Sequence, residues 1–173
     1  MKKIIIQLDK STLLIKRGDA FKLNLSHNDL YEVKEENDSL IIKETKKSIF
    51  KKARVELVVN NKLDSLDVIC TNDIELEDIE VVQLNIKGDT NDIELKNVTS
   101  VISNISTTIG DVYIKSSKIE QLAINSDEGD LLINIKGNEE EYHIECAGMG
   151  DKKFAHNFLK LNSNGNIDYT FEL

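Results

Sequence analysis

Four short segments recur in this chain at a fixed step of nineteen residues. Asn72-Asp73-Ile74, Asn91-Asp92-Ile93, Gly110-Asp111-Val112 and Gly129-Asp130-Leu131 begin at 72, 91, 110 and 129. The apolar positions around them keep the same beat. Ile74, Ile93, Val112 and Leu131 form one column, and Leu76, Leu95, Ile114 and Ile133 form a second. Ile86, Ile105 and Ile124 form a third. Leu84 and Leu122 share a fourth with Ser103, and Ile79 and Val98 begin a fifth that fades to Ser117. A unit this short cannot bury its own apolar face, so successive units must stack, and residues 63–173 are restricted to a solenoid.

The period inside each unit decides strand against helix. In Asp73-Ile74-Glu75-Leu76-Glu77 and Asp92-Ile93-Glu94-Leu95-Lys96, apolar and charged residues alternate. A period of two buries one face of a strand and wets the other. No segment carries the i, i+3, i+4, i+7 spacing of an amphipathic helix. Coils stacked ~4.8 Å apart place each residue over its counterpart nineteen positions earlier, so the aliphatic columns become interior ladders. The Asn/Gly-Asp pairs then fall at corners. There Gly and Asn accept positive φ, and Asp can take backbone N–H groups.

Upstream, Leu63, Leu66 and Val68 lead into the first coil. Downstream, Tyr142 to Cys146 with Gly150-Asp151 reads as a fifth coil. Leu159, Leu161, Gly165, Ile167, Tyr169 and Phe171 read as a sixth, whose aromatics close the end of the core. Residues 147–157 read as a protruding loop. The first 62 residues alternate without the nineteen-residue beat. Leu14-Ile15-Lys16 and Phe21 to Leu25 flank Arg17-Gly18-Asp19, and Tyr31-Glu32-Val33 and Leu40-Ile41-Ile42 flank residues 35–39; each is a hairpin signal. The predicted architecture is all-β: a single-stranded parallel β-helix over 63–173, continuous with an N-terminal cap of antiparallel hairpin strands over 1–62, in one structural unit.

Composition agrees. Of 173 residues none is Pro or Trp, and only 5% are aromatic, which fits thin layers of β-branched aliphatics in paired strands. The net charge of -9 is unevenly spread. Residues 1–62 hold 14 Lys and Arg against 9 Asp and Glu, and residues 63–173 hold 8 against 22. An acidic body argues against a nucleic-acid partner, because it repels phosphates. Gln7 and Asp9 interrupt the apolar start too early for a signal-peptide core, and no apolar run approaches the ~18 residues that span a bilayer. The expected location is therefore cytoplasmic or peripheral at a membrane.

With these residues in view, the chain resembles the putative-adhesin family, a bacterial domain-of-unknown-function family of short β-helices. The Leu40-Ile41-Ile42 strand, the Leu63-Asp64-Ser65-Leu66 lead-in and the Asn/Gly-Asp-Ile-x-Leu units carry the resemblance along nearly the whole chain. It implies a right-handed parallel β-helix and brings no catalytic residues with it. It also implies a link to envelope-stress proteins of Gram-positive bacteria, to which related domains are attached.

The chemistry-bearing residues point the same way. Stacked Asp73, Asp92, Asp111 and Asp130 would repel one another without a cation. The Gly-Gly-x-Gly-x-Asp pattern of calcium β-rolls is nevertheless missing, and a corner role explains the motif. His27, His143 and His156 have no partners at zinc-ligand spacing. No cofactor is predicted, and no catalytic residue. Parallel β-helices that cleave polysaccharides need clustered acids and a base, often with Arg, between long loops. Here the only Arg residues are Arg17 and Arg54, and the turns are short. Cys70 and Cys146 continue inward alternations four coils apart, roughly 19 Å at ~4.8 Å per coil, too far for a disulfide. Both are expected to be free.

The candidate interaction patch is Lys43, Lys46, Lys47, Ile49, Phe50, Lys51, Lys52 and Arg54. It reads either as a cationic loop facing an anionic envelope component, a protein or a second copy of the chain, or as a solvated connection with Ile49 and Phe50 tucked against the first coil. The second reading is preferred. A homo-oligomer would form through a solenoid flank or end. The function expected is that of a non-enzymatic structural or interaction module. The alternative is a carbohydrate-binding or polysaccharide-active β-helix, which a concave strip of exposed aromatics and clustered acids would favour.

Overall fold

The computed structural model describes residues 2–46, 53–146, 149–150 and 157–172. Among them the chain forms strands Lys3–Leu8 (β1), Thr12–Arg17 (β2), Lys22–Leu25 (β3), Tyr31–Glu36 (β4), Ser39–Glu44 (β5), Arg54–Val59 (β6), Leu63–Cys70 (β7), Ile74–Glu77 (β8) and Glu80–Lys87 (β9). They continue with Ile93–Lys96 (β10), Thr99–Ile109 (β11), Val112–Glu128 (β12), Leu131–Lys136 (β13), Tyr142–Cys146 (β14), Met149–Gly150 (β15), Asn157–Asn162 (β16) and Ile167–Glu172 (β17). The only helical turns among the described residues are two short 3-10 segments, Asn28–Leu30 and Glu139–Glu141.

The strands alternate between two faces of a β-solenoid. Sheet B stacks β8, β10, β12 and β13 in parallel, with Ile74, Ile93, Val112 and Leu131 directly over one another. Sheet A stacks β7, β9, β11 and the second half of β12 in the same sense, aligning Leu66, Leu84, Ser103 and Leu122. Within sheet A the inward alternation is broken once per coil. In β9, Val81 and Leu84 are buried while Val82 and Gln83 between them are exposed. Each coil thus turns three inward pairs to the core, such as Ile74 with Leu76, Ile79 with Val81 and Leu84 with Ile86. Burying one such aliphatic side chain contributes about 1.5–3 kcal/mol, so the columns carry most of the stability.

Three interior columns are interrupted by Ser100, Ser103 and Ser117, and each of these hydroxyls is satisfied. Ser100 and Ser103 share a 2.6 Å hydrogen bond. The buried Ser117 Oγ accepts the Val98 N–H at 3.0 Å and donates to the Lys115 carbonyl at 3.0 Å. These contacts let serine replace an aliphatic residue without leaving an orphaned polar group. At the corner between sheets B and A, Asp78, Asn97 and Ser116 repeat the beat with φ of 55°, 53° and 47°. Asp and Asn suit this left-handed conformation because their short side chains bond locally, and Asn97 donates to Asp78 at 2.7 Å.

The first 62 residues depart from the expected cap. The hairpin across Asn37 and Asp38 does form, both residues having positive φ as a two-residue primed turn requires, and β4 pairs antiparallel with β5. The hairpin expected around Arg17-Gly18-Asp19 does not form. β6 lies between its two arms, parallel to β2 and antiparallel to β3. Moreover, β1 is inserted in sheet A between β5 and β7, and β2 in sheet B between β6 and β8, all in parallel. The first strands therefore make a full solenoid layer, and only β3 and β4 run antiparallel at the outer edges. The reason is their pattern. Ile4, Ile6 and Leu8, then a corner, then Leu13 and Ile15 reproduce the inward positions Leu66, Val68, Cys70, Ile74 and Leu76.

The opposite end shows the same interleaving. β16 pairs with β12, β17 with β13, and β14 lies outside β16. The segment expected as the sixth coil is stacked beneath the one expected as the fifth. Leu159 and Leu161 continue the Leu122 and Ile124 columns in register, so direct stacking of 157–172 on β12 and β13 buries more aliphatic surface. The buried Tyr142 lies with its ring 5.0 Å from Phe171 and donates to the Ile119 carbonyl at 2.8 Å, so aromatics do close this end.

Candidate functional site

The corner motif is built by backbone chemistry. Asp73 Oδ1 accepts the Asp92 N–H at 3.4 Å, Asp92 Oδ1 that of Asp111 at 3.0 Å, and Asp111 Oδ1 that of Asp130 at 2.8 Å. Asp130 Oδ1 accepts the Asn166 N–H at 2.8 Å. Each carboxylate thus clamps the coil that follows it. The Asp130 N–H, followed by the Tyr113 hydroxyl at 2.7 Å, holds the Asp111 carboxyl below its usual range. The same bond to Asp111 pushes the Tyr113 phenol up to about 12. Gly110 and Gly129, with φ of 135° and 145°, pass so close to the preceding coil that a Cβ on either would run into the Asn91 or Gly110 carbonyl respectively.

Among the described residues no group of three or more His, Cys, Asp or Glu is placed to hold a metal. His143 lies 3.3 Å from Glu145, and His156 is outside the described residues. Cys70 is a buried free thiol that donates to the Ser11 and Asn72 carbonyls, and burial pushes it up to about 12. Five ladder steps separate β7 from β14, one more than the nineteen-residue beat predicts, because β16 is interposed. The Cys146 side chain lies outside the described residues.

Of the candidate patch, Lys47, Ile49, Phe50, Lys51 and Lys52 lie outside the described residues. Lys43 is opposite Glu32 at the end of β5, Lys46 is 3.9 Å from Asp29, and Arg54 begins β6 in the other sheet. One feature at this corner escaped the sequence reading. Glu44 Oε2 accepts three consecutive N–H groups, of Asp9, Lys10 and Ser11, at 3.0, 3.0 and 3.2 Å, tying β5 to the turn between β1 and β2. No motif marks such a nest, since its donors are backbone groups.

An open concavity lies elsewhere, on the outer face of sheet A, with a volume of about 740 Å³. It runs along the solenoid axis, crossing β7, β9, β11, β12, β16 and β14. One wall is the column Asp67, Asn85, Asn104, Ala123, Lys160 and Glu145. The other is Ile69, Lys87, Ser106, Asn125 and Asn162. Asn85 donates to Asp67 at 2.7 Å, Asn104 to Asn85 at 3.0 Å, and Asn162 to Asn125 at 2.7 Å. At one end of the strip Lys160 is 3.5 Å from Glu145, whose carboxyl is lowered mainly by its bond to His143 and then by Lys160. The sequence reading missed this strip. Its only signal was uncharged outward positions, Asn85, Asn104 and Ala123, recurring at nineteen in an otherwise charged chain.

The fold and its residues can be set beside known proteins. The family model of Toastrack DUF4097 matches residues 2–151. The chain belongs to the Toastrack family. The crystal structure of a putative adhesin from Bacteroides fragilis aligns with this Toastrack chain at a TM-score of 0.53 and 12% identity, covering 99% of this chain and 93% of that one. A putative cell adhesion protein from Clostridium sporogenes aligns at 0.31 and 13% identity, with the same coverage. No curated protein matches. The family supports the all-β solenoid, and the Bacteroides structure shares the fold of the Toastrack chain.

Proposed function

We propose that the chain is a non-enzymatic interaction module of a bacterial envelope, binding an elongated partner along the outer strip of sheet A. The observation that carries this reading is the strip itself: a concavity of about 740 Å³ whose polar groups repeat from strand to strand along one axis. Such a row suits a ligand that is also extended and repetitive. In this reading the solenoid is right-handed with nineteen residues per coil, as parallel crossovers of one hand predominate. The one described thiol, Cys70, is buried and donates to two backbone carbonyls, which does not suit an activated nucleophile. The adhesin name of the Bacteroides neighbour adds a surface context. The test is co-sedimentation of the purified protein with isolated bacterial envelopes, comparing wild type with Ala123→Arg on the strip and Leu132→Arg at an exposed position of sheet B. Wild type and Leu132→Arg should pellet and Ala123→Arg should stay in solution; equal behaviour of the two variants refutes the strip as the binding face.

A further inference from the structure

We infer that the ligand of this strip is an uncharged, hydroxyl-rich polymer, a glycan strand lying along the solenoid axis; the inference rests on the strip being the binding face. Three observations converge. First, the centre of the strip is uncharged in a chain that is 31% charged: Asn104, Ser106, Ala123 and Asn125 occupy it. Of the nearby ionic groups, Asp67 is engaged with Asn85 and Lys3, and Glu145 with Lys160, which leaves Lys87 beside Ser106 as a single cation and not a row. Neither a polyanion nor a polycation finds a complementary row there.

Second, the amide ladder leaves complementary groups at the centre. Asn104 gives its N–H to Asn85, and Asn125 gives its oxygen to Asn162. The Asn104 oxygen, across the ladder from the small Ala123, and the Asn125 amide hydrogens, two residues along the strand from it, are thus left, one accepting and the other donating. A hydroxyl both donates and accepts, and a row of hydroxyls satisfies both. Third, the floor is main chain already paired in the ladders between β9, β11, β12 and β16, so a peptide strand cannot bind by backbone augmentation. The strand step of ~4.8 Å is close to the advance per sugar, half the disaccharide repeat, of an extended β-1,4-linked chain, so over a few coils each sugar meets one strand.

The strip lacks the exposed aromatics and clustered acids expected of a polysaccharide-active β-helix, its two acids Asp67 and Glu145 lying at opposite ends, so no single sugar is stacked strongly. Affinity must accumulate over several coils, and dependence on ligand length is the signature. The experiment is calorimetric titration of the full chain with cellopentaose, cellobiose and a hyaluronan hexasaccharide, repeated on Ala123→Phe, Asn104→Leu and the sheet B control Leu132→Asn, with thermal melts verifying the fold. Cellopentaose should bind at least tenfold more tightly than cellobiose or the anionic hexasaccharide, and Ala123→Phe and Asn104→Leu should each weaken it tenfold or more while Leu132→Asn does not. Two results overturn the glycan. One is absence of cellopentaose binding while envelopes still pellet the wild type and not Ala123→Arg, which leaves the binding face standing with another ligand. The other is binding unaffected by the strip variants. If envelopes too fail to distinguish Ala123→Arg, the interaction-face reading falls with it.

Discussion

The Asp111 carboxylate accepts the backbone N–H of Asp130, nineteen positions on, at 2.8 Å, and so fastens one coil to the next at its corner. This bond holds the Asp111 carboxyl below its ordinary 3.8. At pH values between the folded and ordinary ones, the unfolded chain binds a proton that the folded chain does not. The stabilisation is therefore present above 3.8 and is lost as pH falls through the lowered value. Asp111→Asn keeps an acceptor but cannot titrate. Between pH 5 and pH 3 the melting temperature of wild type should fall further than that of Asp111→Asn; parallel curves would remove the linkage.

Inserting β1 into the parallel stack makes the N-terminus part of the core. Ile6 is fully buried between Ile42 and Val68, whereas Val33 on the antiparallel edge is 39% exposed. Ile6→Ala should cost about 2–5 kcal/mol in urea unfolding. Val33→Ala should stay within about 0.5 kcal/mol of wild type. A mild Ile6→Ala would mean that the first strands are an appendage.

Gly129 and Gly137 share a positive φ, at 145° and 146°, but differ in what lies beyond a Cβ. At Gly129 it meets the Gly110 carbonyl, and at Gly137 only the edge of the Tyr142 ring at 3.4 Å. Both alanine variants bear the conformational cost of about 1–3 kcal/mol. Only Gly129→Ala must also push two coils apart, and its denaturation midpoint should fall clearly below that of Gly137→Ala.

The Cys70 thiol is 1% exposed and raised to about 12. In native protein at pH 8, Ellman's reagent should label Cys70 only at the rate of unfolding, and in denaturant at once. Mass spectrometry of the labelled peptide distinguishes it from Cys146. Rapid native labelling at Cys70 would contradict the packing around Ser11 and Asn72.

The middle of the fold was legible because columns such as Ile74, Ile93 and Val112 repeat at one step, and that step alone sets the register. The two ends were not, because their neighbours are set by spatial packing and not by sequence order. β1 carries the same inward pattern as β7, but nothing in a linear reading places Ile4 beside Leu66. The C-terminal coils were likewise numbered along the chain, while Leu159 packs on Leu122 ahead of Ile144. The Asp corners were foreseen as hydrogen-bond acceptors, but their donors lie in the following coil. The strip escaped because Asn85, Asn104 and Asn125 are ordinary surface residues until the stacking lines them up.

The interleaved ends also constrain assembly in time. Ile4 can be held on one side by Leu40 as soon as that strand exists, but its other side stays open until residues 63–70 have been made. At the far end β16 must enter between two strands that precede it in the chain. The strands β1, β2 and β16 are each enclosed by two others, whereas β17 is paired with β13 alone. Folding therefore waits on contacts distant in sequence at both ends of the solenoid.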